Sequence, residues 1–196
     1  VTGLCLQDGY REKVTLATKI PVNMVENEED FNRILDEELT RLQTDHIDVY
    51  LLHALNRDRW EHVLKKDILP MAERAKAAGK IRHIGMSFHD TADVLDKILT
   101  DRPEIEVVQL QLNYVDWIDP RVQAEKCYEV CVKHGKPVIV MEPVKGGTLA
   151  NVPEDAEKLT EKEYVVDLYD LETPISLDLV FIKSGVADTA GTFGSK

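Results

Sequence analysis

Several apolar stretches of this 196-residue chain finish in a side chain that can hydrogen-bond or carry a proton. VTLATK ends at Lys19, IDVYLLH at His53, the run Ile81–Ser87 at Ser87, and VIVME at Glu142. Gln109 and Asn113 bracket a further run, Val107–Leu112. A lysine held in a partly dry site is a cation that lowers a neighbour's pKa. A histidine beside it can orient a carbonyl or shuttle a proton. The same lysine could instead form a Schiff base with a carbonyl or with pyridoxal phosphate. Singly, each residue has a plainer reading. A strand-end lysine is commonly a solvated group and a lone histidine a structural one. His83 and His89, which flank the third run, read best as solvent or loop contacts, and Gly146–Gly147 as a turn. It is the joint spacing that lifts the set above these readings.

The elements that must position these residues follow from periodicity. The apolar runs begin near residues 14, 47, 81, 107 and 138. Between them lie stretches with helical spacing. Asn27–Gln43 carries Phe31, Ile34, Leu35, Leu39 and Leu42 behind a capping arrangement of Asn27 with Asp30. A stretch from Trp60 to Ala75 stops at Gly79. Thr91–Thr100 carries Val94, Leu95, Ile98 and Leu99, and Pro120–His134 is a helix that proline starts and Gly135 ends. Parallel strands joined by crossover helices need about 30 residues per unit and are buried on both faces. An open doubly wound sheet or a closed (β/α)8 barrel meets that requirement. No G-x-G-x-x-G follows any strand, which tilts the choice to the barrel. In a barrel, chemistry sits where the strands end. With a period of two, Thr15, Ala17 and Lys19 share a face, as do Ile47, Val49, Leu51 and His53. Lys19 and His53 then both project into the barrel if those faces point inward.

Composition bounds the class. A net charge of −12 without a dense basic patch argues against nucleic acid as a partner. No apolar run reaches the length of a membrane span, so no membrane is expected. The three cysteines, Cys5, Cys127 and Cys131, contain no C-x-x-C pair and suit a reducing, cytoplasmic setting. Cys127 and Cys131 share a helical face. A buried stripe explains them better than a metal site, and no metal is expected. Residues 1–150 read as five βα units and 151–196 as an irregular or helical segment of the same domain, with possible helices at Pro153–Lys162 and Pro174–Ser184 and a flexible stretch from Gly185 to Lys196.

In order, LATK ending at Lys19, DVYLLH ending at His53, GKIRHIGMS from Gly79 to Ser87, VVQLQLN from Val107 to Asn113 and MEPVKGG from Met141 to Gly147 resemble the aldo-keto reductase superfamily. The likeness covers about Arg11 to Ala150. It is strongest to a microbial branch of predicted oxidoreductases that often bears an iron–sulfur tail. No Cys follows Cys131, so no cluster is expected in this chain. The resemblance implies a (β/α)8 TIM barrel that binds NADPH or NADH at its C-terminal mouth and reduces a small-molecule aldehyde or ketone by hydride transfer. It implies that Lys19 eases proton transfer from a tyrosine, that His53 orients the carbonyl, and that Ser87 and Gln109 hydrogen-bond the nicotinamide carboxamide. Met141, Glu142, Val144 and Gly146 fall on the loop that passes under the nicotinamide towards the diphosphate. Met141 stands where many relatives place an aromatic ring. Glu142 stands where many have Ser, an unfavourable neighbour for phosphate unless Lys145 offsets it.

The family's Asp and Tyr belong to the first two βα units, which precede the part matched here. Tyr10, in the turn before the first strand, does not replace them, and Val1–Cys5 fits the family poorly. The family's basic contacts to the adenosine phosphate have no matching motif, with Lys183 and Lys196 the only cations after Lys162. The expectation is an incomplete barrel: a truncated or partly represented protein, or one whose exposed strand edges an oligomeric partner covers. Reductase activity would then be greatly weakened. A nicotinamide-binding regulatory subunit without turnover is the alternative.

Overall fold

The computed structural model describes residues 1–150, and within them five parallel strands form one sheet. They are β1 (Ala17–Ile20), β2 (Ile47–Leu55), β3 (Ile81–Phe88), β4 (Val107–Gln111) and β5 (Val138–Met141). After a short α1 (Thr2–Cys5) come α2 (Glu28–Leu42), α3 (Arg57–Lys65), α4 (Ile68–Ala77), α5 (Ala92–Asp101) and α6 (Ala124–Lys133), so that at least one helix separates every pair of successive strands. The strand order is β1-β2-β3-β4-β5, each strand adding beside the one before it. A doubly wound sheet reverses its order part-way. This one does not, and the architecture is five consecutive units of a (β/α)8 barrel. The segments expected at Pro153–Lys162, Pro174–Ser184 and Gly185–Lys196 lie outside the described residues.

The two faces of the sheet differ. On one, Ile20, Tyr50, Leu52, Ile84, Met86, Phe88, Val108, Leu110 and Val138 join the apolar stripes of α2 to α6 in a single core. Burying each such side chain is worth roughly 1.5–3 kcal/mol. On the other face the register aligns Lys19 with Leu51, Leu51 with Gly85, and Gly85 with Val107. A Cβ on Gly85 would stand 2.6 Å from both Leu51 Cδ2 and the Val107 carbonyl oxygen, so only glycine allows three strands to close up there.

Local signals account for most element ends. Asn27 Oδ1 accepts the Asp30 amide at 3.0 Å and starts α2. Gly79 (φ 77) and Gly135 (φ 63) take the left-handed conformation that ends α4 and α6. Three expectations are corrected. The first strand starts at Ala17 rather than Val14, since Leu16 instead receives the Asp48 and Val49 amides at its carbonyl. The Trp60–Ala75 stretch is two helices, broken at Asp67 by a left-handed backbone (φ 54). The helix expected from Pro120 starts at Ala124, because Asp119 organises a turn around Arg121 and Gln123 is itself left-handed (φ 52). The N-terminus forms α1, which packs so closely on α2 that a Cβ on Gly3 would clash with the Arg41 carbonyl. Cys127 and Cys131 are buried on the core side of α6, and burial pushes their thiols up to about 11 and about 12.

Candidate active site

The C-terminal ends of the strands gather the polar residues. Lys19, half-buried near the end of β1, sits opposite Leu51 of β2, and His53 follows two residues later on the same face of β2. On the next two strands Ser87 is in register with Gln109, and at the far edge Gln111 is in register with Met141. One face at one end of the sheet therefore presents Lys19, His53, Ser87, Gln109 and Met141 in strand order.

His53 is placed by a bulge. Leu52 pairs with Met86 but Leu55 with Phe88, so β2 spends three residues where β3 spends two. Ala54 absorbs the extra residue at φ 54, a conformation costing a non-glycine residue roughly 1–2 kcal/mol. Two bonds hold it. The Ala54 amide donates to Ser87 Oγ at 2.7 Å, and Arg59 Nη1 donates to the Ala54 carbonyl at 2.8 Å. Bulges of this kind re-aim side chains beside active sites. Ser87 thus has a structural task that its sequence position does not reveal: its oxygen accepts from Ala54, and its own O–H has no acceptor among the described residues.

The electrostatics at the β1 and β2 ends are set by Lys19 and Arg59. Among the described residues Lys19 forms no ion pair, and burial holds its ammonium below the ordinary lysine range. Partial burial, then the Lys19 and Arg59 charges, lower the His53 pKa. His89 is lowered by burial and by His53, Lys19 and Arg59, with Glu142 acting the other way. Both imidazoles are therefore neutral near pH 7, each with one N–H to donate. The loop-contact reading of His89 captured only its backbone, whose amide donates to the Leu55 carbonyl at 2.8 Å. Its position just past the end of β3 was the available signal. His83, by contrast, pairs with Glu106 at 2.9 Å at the opposite end of β3. Tyr10 also belongs to that opposite end, its ring lying 5.0 Å from the Lys13 ammonium.

Gln109 carries the clearest sign of a missing ligand. Its Oε1 is buried and has no hydrogen-bond partner among the described residues, an arrangement that costs about 1–3 kcal/mol unless something fills it. The loop from Glu142 to Ala150 closes the far side of the rim. Lys145 does not offset Glu142, as its sequence position suggested. It pairs with Asp116, a fully buried carboxylate that also accepts from Gln111 Nε2 and Asn113 Nδ2, both at 2.6 Å. Burial opposes ionisation of Asp116, yet Lys145, Gln111 and Asn113 together hold its carboxyl below the usual range. Asp116 escaped notice in the sequence. The trace it left was an acidic residue set among Val115, Trp117 and Ile118.

A sequence model of the Aldo/keto reductase family matches residues 1–183. The chain belongs to the aldo/keto reductase family. Glyoxal reductase of Bacillus subtilis (strain 168) is 27% identical over 151 residues, which is 77% of this chain and 49% of that protein. An aldo-keto reductase from Bacillus halodurans, AKR11C1, solved in a holo form, superposes with a TM-score of 0.60 at 28% identity, covering 78% of this chain and 48% of that one. The fold also matches an aldo/keto reductase from Klebsiella pneumoniae, with a TM-score of 0.63 at 21% identity over 82% of this chain and 55% of that one. The chain spans about half the length of the relatives it matches. Within the aldo/keto reductase barrel the described strands supply one arc of the mouth.

Proposed function

We propose that this chain carries the nicotinamide and carbonyl site of an NAD(P)H-dependent reductase acting on an aldehyde or ketone. The observation that carries this reading is the convergence of Lys19 and His53 on one face at the same end of adjacent strands, beside the unfilled acceptor of Gln109. A nicotinamide carboxamide fits the residues present: its NH2 answers the lone Gln109 Oε1, and its oxygen can take the Ser87 O–H. The Klebsiella pneumoniae structure, for its part, is a complex with NADP and acetate. When bound, a reduced nicotinamide supplies the hydride.

The chain's own groups do the rest. Gln109 and Ser87 fix the ring's orientation, and Met141 offers a polarizable thioether beside it. Val144 and Gly146 lie on the loop that would pass the diphosphate, with Glu142 at its entrance. His53, its pKa lowered by partial burial and then by the Lys19 and Arg59 charges, donates an N–H to the carbonyl oxygen and places its carbon for attack. Lys19 stabilises the negative charge that develops on that oxygen and eases protonation by the tyrosine that the family places on an earlier unit.

Fluorescence titration of the 196-residue chain with NADPH and with NADH, repeated on Lys19→Ala and Gln109→Leu, tests the assignment. Quenching by at least one nucleotide is expected, weakened in Gln109→Leu. Absence of binding of either nucleotide at millimolar concentration overturns it. Binding without turnover of any small aldehyde would favour the nicotinamide-binding regulatory subunit instead.

A further inference from the structure

The loop after β5 is held in an unfavourable backbone conformation by two bonds from the loop after β4. Glu142 (φ 56) and Lys145 (φ 47) are non-glycine residues in the left-handed region, followed by Gly146 (φ 65) and Gly147 (φ 97). Such residues persist where the surroundings over-determine them, and they concentrate at ligand clamps. Each of the two strained residues is gripped. Asn113 Nδ2 donates to the Glu142 carbonyl at 3.1 Å, and Lys145 Nζ donates to Asp116 Oδ1. The grip is itself braced: the Asn113 carboxamide oxygen accepts the Val115 and Asp116 amides at 3.1 and 2.9 Å, and Gln111 Nε2 ties Asp116 back to β4. Asp116 is fully buried, so its carboxylate would be a costly residue to keep in a loop for solubility alone.

We infer that Asp116 is a positioning residue that clasps Lys145 and thereby preorganises the Glu142–Ala150 loop to receive the phosphate-bearing part of the nicotinamide nucleotide. The inference rests on the proposed cofactor reading for its ligand, but the clasp itself does not. Asp116 touches no ligand in this arrangement. It acts through Lys145 and Asn113, so that the loop's strained turns are set before binding and need not be ordered during it. The amides of Lys145, Gly147 and Leu149, which bond to the Glu142 and Val144 carbonyls at 3.0, 2.9 and 3.1 Å, report whether those turns are formed.

Hydrogen exchange of those three amides in the ligand-free full chain tests the clasp without any cofactor. In Asp116→Asn they are expected to exchange at least about tenfold faster, while the amides of Leu35 in α2 and Leu95 in α5 keep their rates. Unchanged rates at the three loop amides would overturn the clasp. If Asp116→Asn does not fold, Lys145→Met and Lys145→Arg carry the same comparison, with protection lost in the first and retained in the second; equal protection in both overturns it. NADPH titration then tests the role. Affinity falls about tenfold in Asp116→Asn if the clasp positions the loop. Tighter binding would mean that Asp116 withholds Lys145 from the phosphate, contradicting the inference. Wild-type chain that binds no nucleotide, but shows the exchange pattern, would remove the cofactor role and with it the proposed function, leaving only a structural clasp.

Discussion

The two ends of this sheet treat charge in opposite ways. At the N-terminal ends of the strands, Asp48 accepts the Leu16 amide at 2.8 Å and pairs with Arg11 at 2.8 Å and Arg82 at 2.7 Å. Glu106 pairs with Lys76 and His83 and accepts the Ile84 amide at 3.0 Å. At the C-terminal ends Lys19, His53 and His89 form no ion pair among the described residues, and Gln109 keeps a buried oxygen without a partner. The N-terminal rim satisfies its charges internally; the C-terminal rim does so only at its far side, where Lys145 pairs with Asp116, and leaves Lys19 and the Gln109 acceptor unpaired among the described residues. In barrels of this class the first kind of rim stabilises and the second does chemistry. Mutations at the two rims should therefore separate stability from activity.

Lys19→Met should have the largest effect on the open rim. On the proposed reading, and with the family's tyrosine-bearing unit supplied, a loss of about 10²–10⁴-fold in kcat/KM for a small aldehyde is expected, the usual contribution of an acid–base partner. Unfolding free energy should change by no more than about 0.5 kcal/mol, since Lys19 forms no ion pair among the described residues. Steady-state kinetics and a denaturant melt check both halves, and a large loss of stability would erase the contrast between the rims. Asp48→Ala should do the reverse. It leaves Arg11 and the Leu16 amide without their partner, and removing one member of a buried pair costs about 3–5 kcal/mol. Nucleotide affinity of the folded fraction should not move.

Glu106 sharpens the contrast through pH. Burial opposes its ionisation, but Lys76, His83 and the Ile84 amide outweigh that and bring its carboxyl down to about 2. As pH falls from about 4.5, the unfolded chain takes up this proton first, so stability present above that pH is lost on the way to about 2. Glu106→Gln should flatten this acid limb by about 1 kcal/mol, allowing for its partial exposure to solvent. The smallest effect is on His53. With the Lys19 charge removed in Lys19→Met, the His53 titration midpoint should move upward, as NMR of the ring proton would show.

The fold was legible where local chemistry decides it. Asn27 at the start of α2, Gly79 and Gly135 at helix ends, and runs of β-branched residues with a period of two all act within a few residues. The strand-end rule likewise singled out Lys19, His53, Ser87 and Gln109, which share one face at one end of the sheet, while Met141 entered through the family resemblance. What it missed depends on partners distant in the chain. The bulge at Ala54 exists because Ser87, 33 residues later, accepts its amide. Asp116 gains its role from Lys145, 29 residues on. The left-handed residues at Asp67 and Gln123 break helices whose apolar spacing gave no warning, because non-glycine residues rarely adopt that backbone.

His46 stands at the N-terminal rim with His83, its Nε2 lying 3.7 Å from Asp48, so four histidines across the two rims allow one direct measurement. Ring-proton NMR of the full chain during titration with NADPH is expected to shift His53 and His89 while His46 and His83 stay in place. Shifts confined to His46 and His83 would put the ligand at the saturated rim and contradict the assignment of the open rim as the active site.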